Sequence, residues 1–148
     1  MGGAVTAEQM WQLYAEKAKI DAPYDAWSFG DDADALAKLV LDGIKTATAS
    51  AGSLYEIEGE ELPKAGQYSV ILNSREEAVC VIRTDRVFVV PFKDVDSTQA
   101  YREGEGDRSL SYWRQVHQRF FIEELMEAGL NFDENIPVVC EEFSKVFP

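Results

Sequence analysis

The strongest constraint on the fold is a change of hydrophobic period along the chain. Leu110, Trp113, Val116, Phe120, Phe121 and Leu125 recur every three or four residues, with Gly129 behind them as a stop. That spacing is one face of a helix and predicts a long helix over about 109–128, with Trp113, Val116, Phe120 and Leu125 turned inward. Elsewhere the period is short. Residues 67–72, 78–83, 86–90 and 138–143 are apolar runs punctuated by Asn73-Ser74-Arg75-Glu76-Glu77, Pro91 and Pro137, and they predict four strands. The first two are joined by a hairpin-length loop.

Two shorter helices complete the reading. Thr6-Ala7-Glu8-Gln9 is a capping box ahead of Met10, Trp11, Tyr14 and Ala18, predicting a helix over about 7–19. Asp31-Asp32 is a good helix start, Leu36, Leu39 and Val40 form a stripe, and Gly43 follows as a stop. The segment between these helices, through Trp27, Phe29 and Gly30, reads as a loop. Residues 51–65, with Glu56, Glu58, Glu60 and Glu61, read as an acidic loop holding one helical turn. With no internal repeat or linker, 148 residues form one α+β domain whose sheet is mostly antiparallel.

Charge narrows the partners. The chain carries 27 Asp and Glu against 14 Lys and Arg, a net charge of −13. Nucleic-acid affinity comes largely from basic residues displacing counterions from phosphates, so DNA is not an expected partner. Only residues 101–120, with four basic and three acidic groups, escape the negative balance. No apolar run approaches the roughly 20 residues of a membrane span, so no membrane partner is expected. The first residues offer neither the charge nor the apolar stretch of a signal peptide, and the expected location is the cytoplasm. Cys80 and Cys140 sit inside apolar runs and are expected as buried thiols. One His and two distant Cys give no zinc site of ordinary spacing.

Two stretches are dense in chemistry. In Gly43-Ile44-Lys45-Thr46-Ala47-Thr48-Ala49-Ser50 a lysine precedes hydroxyls at alternate positions. On an extended chain Thr46, Thr48 and Ser50 share one face, suited to a phosphate, a carboxylate or a developing oxyanion. In Tyr101-Arg102-Glu103-Gly104-Glu105-Gly106-Asp107-Arg108-Ser109 three carboxylates repel one another within five residues. The run lacks the spacing of a calcium loop and leaves room only for a weak Mg²⁺ site, so no cofactor is expected. Asp107 or Ser109 is placed to cap the long helix. His117 falls beside the buried stripe of that helix.

Together these residues resemble the ASCH domain family. The match runs in order through Gly43-x-Lys45-Thr46-x-Thr48, Gly66, Val90-Pro91-Phe92, Glu103-Gly104-Glu105-Gly106-Asp107, Ser109-Leu110-x-x-Trp113, His117 and Phe120-Phe121. It covers about residues 25–147 and leaves an N-terminal helical segment, 1–24, outside. The resemblance implies a PUA-like small β-barrel with helices packed outside, and a cleft where lysine and acidic loop meet. It implies RNA or a nucleoside or nucleotide as ligand, and hydrolysis resembling that of ribonucleases or of amidohydrolases acting on N4-acylated cytidine. Carried over by position, Lys45, Thr48 and Glu103 are the expected catalytic residues, with Glu105 the other candidate for the acidic partner. In that scheme Lys45 deprotonates Thr48, the nucleophile, although a neighbouring carboxylate opposes such a role by favouring the ammonium. Thr46, Ser50, Glu105, Asp107, Arg108, Ser109 and His117 are expected to bind substrate. Ser50 stands where the family motif carries an arginine, which removes a bidentate anion clamp. The rival reading is a non-catalytic RNA-binding or protein-interaction module. A locally positive cleft would favour ligand binding, and a uniformly negative one the interaction module.

Overall fold

The computed structural model describes residues 4–148. The capping box forms as expected. Thr6 Oγ1 accepts from the Gln9 N–H at 3.1 Å while the Gln9 side chain accepts from the Thr6 N–H at 2.9 Å, opening helix α1 (Ala7–Ala18). The chain then enters strand β1 (Tyr24–Ser28), where the sequence suggested only a loop. Its burial alternates weakly, and it lies at the sheet edge, so no clean two-residue period marks it. Helix α2 (Ala33–Leu41) is capped by the Asp32 carboxylate, buries Ala37 and Val40, and is followed by Gly43 at φ +76°.

Strand β2 (Ala47–Ala51) comes next, then helix α3 (Gly52–Glu58), two turns rather than one. Strands β3 (Tyr68–Leu72) and β4 (Ala78–Pro91) make the expected hairpin. The two runs read as separate strands are one 14-residue strand, bent by register shifts at Val81/Ile82 and Thr84/Arg86. Bulges of this kind add twist without ending the ladder. A single 3₁₀ turn (Phe92–Asp94) leads to helix α4 (Ser97–Glu103), which the sequence reading missed because its seven residues carry no apolar stripe. Helix α5 (Leu110–Glu127), capped by Ser109, and strand β5 (Pro137–Phe147) close the chain.

The sheet order is β1-β3-β4-β5-β2, with β1 parallel to β3 and every other pair antiparallel. It curls into a five-stranded half-barrel with the helices outside, so the barrel anticipated from the resemblance is open between β1 and β2. α1 sets Trp11 and Tyr14 against Val70 and Val81, α2 covers Ile71, Cys80 and Ile82, and α5 covers Val138 and Cys140. Both cysteines are buried free thiols, and burial pushes each up to about 12. No helix among the described residues is long and apolar enough to cross a membrane.

The face of α5 is rotated slightly from the expected one. Trp113, Phe121 and Leu125 are buried, whereas Val116 and Phe120 are half-buried and border a cleft. Phe121→Ala should therefore cost about 3–5 kcal/mol of folding stability, and Phe120→Ala clearly less. Urea denaturation of the two variants checks the difference; equal losses would mean that the helix face is misassigned.

Candidate functional site

Lys45 is fully buried, at 1% exposure. It is delivered by the end of α2, where the N–H groups of Ile44 and Lys45 both donate to the Leu39 carbonyl at 2.9 and 3.0 Å. Glu103, also 1% exposed, is the last residue of α4. The two segments are locked together by the Thr46 N–H donating to the Arg102 carbonyl at 2.7 Å. Gly104 caps α4 at φ +72°, and a Cβ there would stand 2.7 Å from the Ile44 carbonyl oxygen. Only glycine combines that backbone conformation with so close an approach.

The result is a compact charge cluster. Lys45 Nζ donates to Glu105 Oε2 at 2.9 Å, to Glu103 Oε1 at 3.3 Å and to the Glu103 carbonyl at 3.4 Å, and lies 5.3 Å from the Phe29 ring centroid. Both candidate glutamates therefore hold the lysine, Glu103 from within and Glu105 from the rim. Glu103 Oε2 accepts from Trp113 Nε1 at 2.5 Å and from Gln99 Nε2 at 3.1 Å. Gln99 Nε2 also reaches the Thr48 carbonyl at 3.2 Å, tying the cluster to β2. His117 stacks on Trp113 at 4.1 Å, with Nδ1 2.9 Å from the Trp113 carbonyl and Nε2 3.3 Å from Glu103 Oε1.

Burial by itself would raise the Glu103 carboxyl, but Lys45 and then His117, with hydrogen bonds from His117 and Trp113, hold it down at about 2. Burial pulls the His117 imidazole down, and the Glu103 carboxylate beside it more than reverses this, so its pKa is raised. Both ring nitrogens face acceptors, which suits the imidazolium. With His117 charged, two cations and two carboxylates balance.

This cluster lies against a small recess of about 70 Å³ that Thr48 also lines. Thr48, Ala49, Phe29, Gly30 and Phe120 are shared with a larger open cleft of about 850 Å³. All five strands contribute to that cleft, among them Ser50, whose Oγ lies 2.7 Å from the Tyr55 hydroxyl. Asp25, Glu60, Glu61, Glu124 and Glu141 line it, and among the described residues no Lys or Arg does. The catalytic constellation expected from the sequence, Lys45, Thr48 and Glu103, is thus brought to one place together with Glu105 and His117.

Four expected substrate contacts are not there. Thr46 precedes β2, where strand alternation does not yet apply, and it opens with Arg108 and Ser109 onto a separate groove that shares no residue with the recess. Arg108 packs its guanidinium 3.7 Å over the Tyr101 ring centroid, and its Nε donates to the Tyr101 carbonyl. Asp107 is exposed and accepts from the Ser109 N–H at 2.9 Å, and Ser109 caps α5 by accepting from the Tyr112 N–H at 3.1 Å. These three shape the helix start. Sequence reasoning missed Gln99 and Glu141; Gln99 is on the unrecognised α4, and Glu141 lies in a strand where an acidic residue reads as a solvated position.

Donor atoms of Glu103, Glu105 and His117 come within 4.8 Å of one another, a grouping that could hold a metal ion. The set fits poorly, because Lys45 Nζ already donates to both carboxylates and would repel a divalent cation.

A curled, mostly antiparallel half-barrel with helices outside is a PUA-like fold. The ASCH domain family model matches residues 25–147, and the chain belongs to that family. Protein EF3133 from Enterococcus faecalis V583 is similar at 38% identity and a TM-score of 0.88, over 95% of this chain and 88% of that one. An ASCH domain from Lactobacillus crispatus JV V101 is 28% identical with the same TM-score, over 96% and 94% of the two chains. The hypothetical protein PH0355, at 14% identity and a TM-score of 0.57, shares the fold over 84% of this chain and all of that one. No curated protein matches the chain.

The cluster makes folding sensitive to acid. A carboxyl held at about 2 in the fold but near 4.5 when unfolded contributes stability that is complete above about 4.5 and lost as pH falls toward 2. Glu103→Gln should cost about 3–5 kcal/mol near neutrality, since it leaves buried cations undercompensated, and should flatten that acid limb. Urea midpoints of both proteins from pH 2.5 to 7 test this, and parallel curves would count against Glu103 as the source.

Proposed function

We propose that this ASCH domain binds an uncharged nucleoside in the large cleft and hydrolyses an acyl amide carried on it, in the manner of an N4-acylcytidine amidohydrolase. The observation that carries the reading is the pairing of two environments. The cleft itself holds five carboxylates and no basic side chain among the described residues, while the lysine lies buried and charge-balanced behind Thr48. A phosphate chain would be repelled by those walls, which argues against long RNA as substrate; a neutral nucleoside is not. An interaction surface could share the acidity, but it would not need three ionisable groups, Lys45, Glu103 and His117, buried beside the cleft, an arrangement characteristic of functional sites.

In this reading Thr48 is the nucleophile. Lys45, held in place by two carboxylates, faces the oxyanion that develops when the hydroxyl adds to the acyl carbon. This replaces the base role that the family pattern suggested for the lysine. Glu103 positions Lys45, and Trp113, Gln99 and His117 position Glu103. A reducing cytoplasm suits the two free thiols and is the compartment we assign.

The test is incubation of the pure protein with a panel of N4-acylcytidines and with labelled RNA, each with and without EDTA. Release of the acid from an acylcytidine is expected, with RNA intact and no effect of the chelator. Lys45→Ala and Thr48→Ala should each lower turnover by about 10² or more, and the double variant should lose little further, because groups acting as one unit are non-additive. Absence of turnover across the panel would refute the hydrolase, leaving a binding module.

A further inference from the structure

The reaction as assigned has a nucleophile and a cation but no base, and the structure narrows where the base can be. Lys45 donates to two carboxylates. Both nitrogens of His117 face acceptors. Glu103 spends both oxygens on Lys45, His117, Trp113 and Gln99, and Glu105 is bound to the Lys45 ammonium. Each of these groups is already engaged within the cluster.

One carboxyl next to Thr48 is differently placed. Thr48 on β2 pairs directly with Glu141 on β5, so the two side chains leave the same face of the sheet with Cβ atoms about 5 Å apart. Both line the large cleft. Glu141 is half-buried, and among the described residues its carboxylate takes part in no ion pair or side-chain hydrogen bond.

We infer that Glu141 is the general base of the site, accepting the Thr48 hydroxyl proton directly or through one water and returning it to the leaving nitrogen. The inference rests on the amide-hydrolase reading above. As the Thr48 Oγ–carbon bond forms, the carbonyl π pair moves onto oxygen beside the Lys45 ammonium and the proton passes to Glu141. Collapse of the adduct breaks the carbon–nitrogen bond, and the proton on Glu141 goes to the departing amine. The same carboxylate then takes a proton from water as that water attacks the acyl-threonine, and Thr48 recovers its hydroxyl proton as the acid leaves. Atoms and charges balance with water as the sole co-reactant.

The surroundings of Glu141 suit this part. Its strand partners are Thr48 on β2 and Val87 on β4. Facing it across the cleft are Tyr55 of α3, Glu124 of α5, Glu60 and Glu61 of the loop after α3 and Asp25 of β1, with no cation among the described residues of the cleft. Burial pushes its carboxyl up to about 7, where a base is strong enough to act and about half of it is ionised at neutral pH. Glu124 is raised too, by burial and by Glu58 and Glu127, but it projects from a helix and has no pairing with Thr48.

The experiment is a pH–rate profile of wild type and Glu141→Gln with N4-acetylcytidine as the probe, alongside its dissociation constant and the urea midpoint of each protein. The ionised form is the active one, so wild-type kcat/KM should fall tenfold per pH unit below about 7. Glu141→Gln should lose about 10²-fold or more in kcat and lose that acid limb, with binding within about threefold. Glu141→Asp should keep a limb at a displaced pH and intermediate turnover, and it decides the matter if the glutamine variant does not fold. A wild-type limb that persists unmoved in either variant, or undiminished turnover in Glu141→Gln, overturns the base while leaving the hydrolase intact. Wild-type protein that binds N4-acetylcytidine yet never releases acetate overturns both.

Discussion

The buried contact between Lys45 and Glu103 is the constraint around which the rest of the molecule is arranged. Neither charge can be removed from water alone without a cost of several kcal/mol, so the chain must bring both there together, from positions 58 residues apart. That requirement explains features that look unrelated. The left-handed Gly104, the hydrogen bond from Thr46 to the Arg102 carbonyl and the short helix α4 each set the distance between the end of α2 and the acidic loop. Trp113 and Gln99 satisfy Oε2, the Glu103 oxygen that Lys45 leaves over.

Such a cluster is a poor means of stabilising a fold. Apolar residues of equal volume would serve stability as well or better, and their desolvation would be cheaper. What the charges supply is a fixed ammonium at the back of a recess, aimed and held before any ligand arrives. Preorganisation of this kind is what electrostatic catalysis needs, since no reorientation is left for the moment of reaction. In the proposed function, the acidic cleft in front would select by exclusion, turning away phosphate while admitting neutral molecules.

Most of this architecture was legible in the sequence where a pattern repeats. The 3.6-residue period located α5 within a residue of its ends, and the capping box and Gly43 placed α1 and the end of α2. Legibility failed where tertiary contacts rather than period decide. β1 is held by pairing with β3, α4 is too short to show a stripe, and the bulge in β4 keeps as one strand what the polar Thr84-Asp85-Arg86 divides in the sequence. At the site, Lys45, Thr48, Glu103, Glu105 and His117 were readable because their spacing carries a family resemblance. Thr46, Asp107, Arg108 and Ser109 lie away from the recess, because Thr46 precedes the strand and the other three shape the start of α5, which adjacency in sequence does not show. Glu141 was invisible for a different reason: only strand pairing shows that a glutamate at the far end of the chain stands opposite Thr48.

The open seam of the half-barrel carries a consequence of its own. β1 and β2 are the two edges of the sheet, each hydrogen-bonded to one neighbour, and both contribute residues to the cleft. A ligand seated there touches two edges that the sheet itself separates by three intervening strands. It would therefore act as a tether across the mouth of the sheet, holding two edges that each have a single strand partner. Occupancy would then be felt as slower amide exchange along Tyr24–Ser28 and Ala47–Ala51, far more than in the central strands.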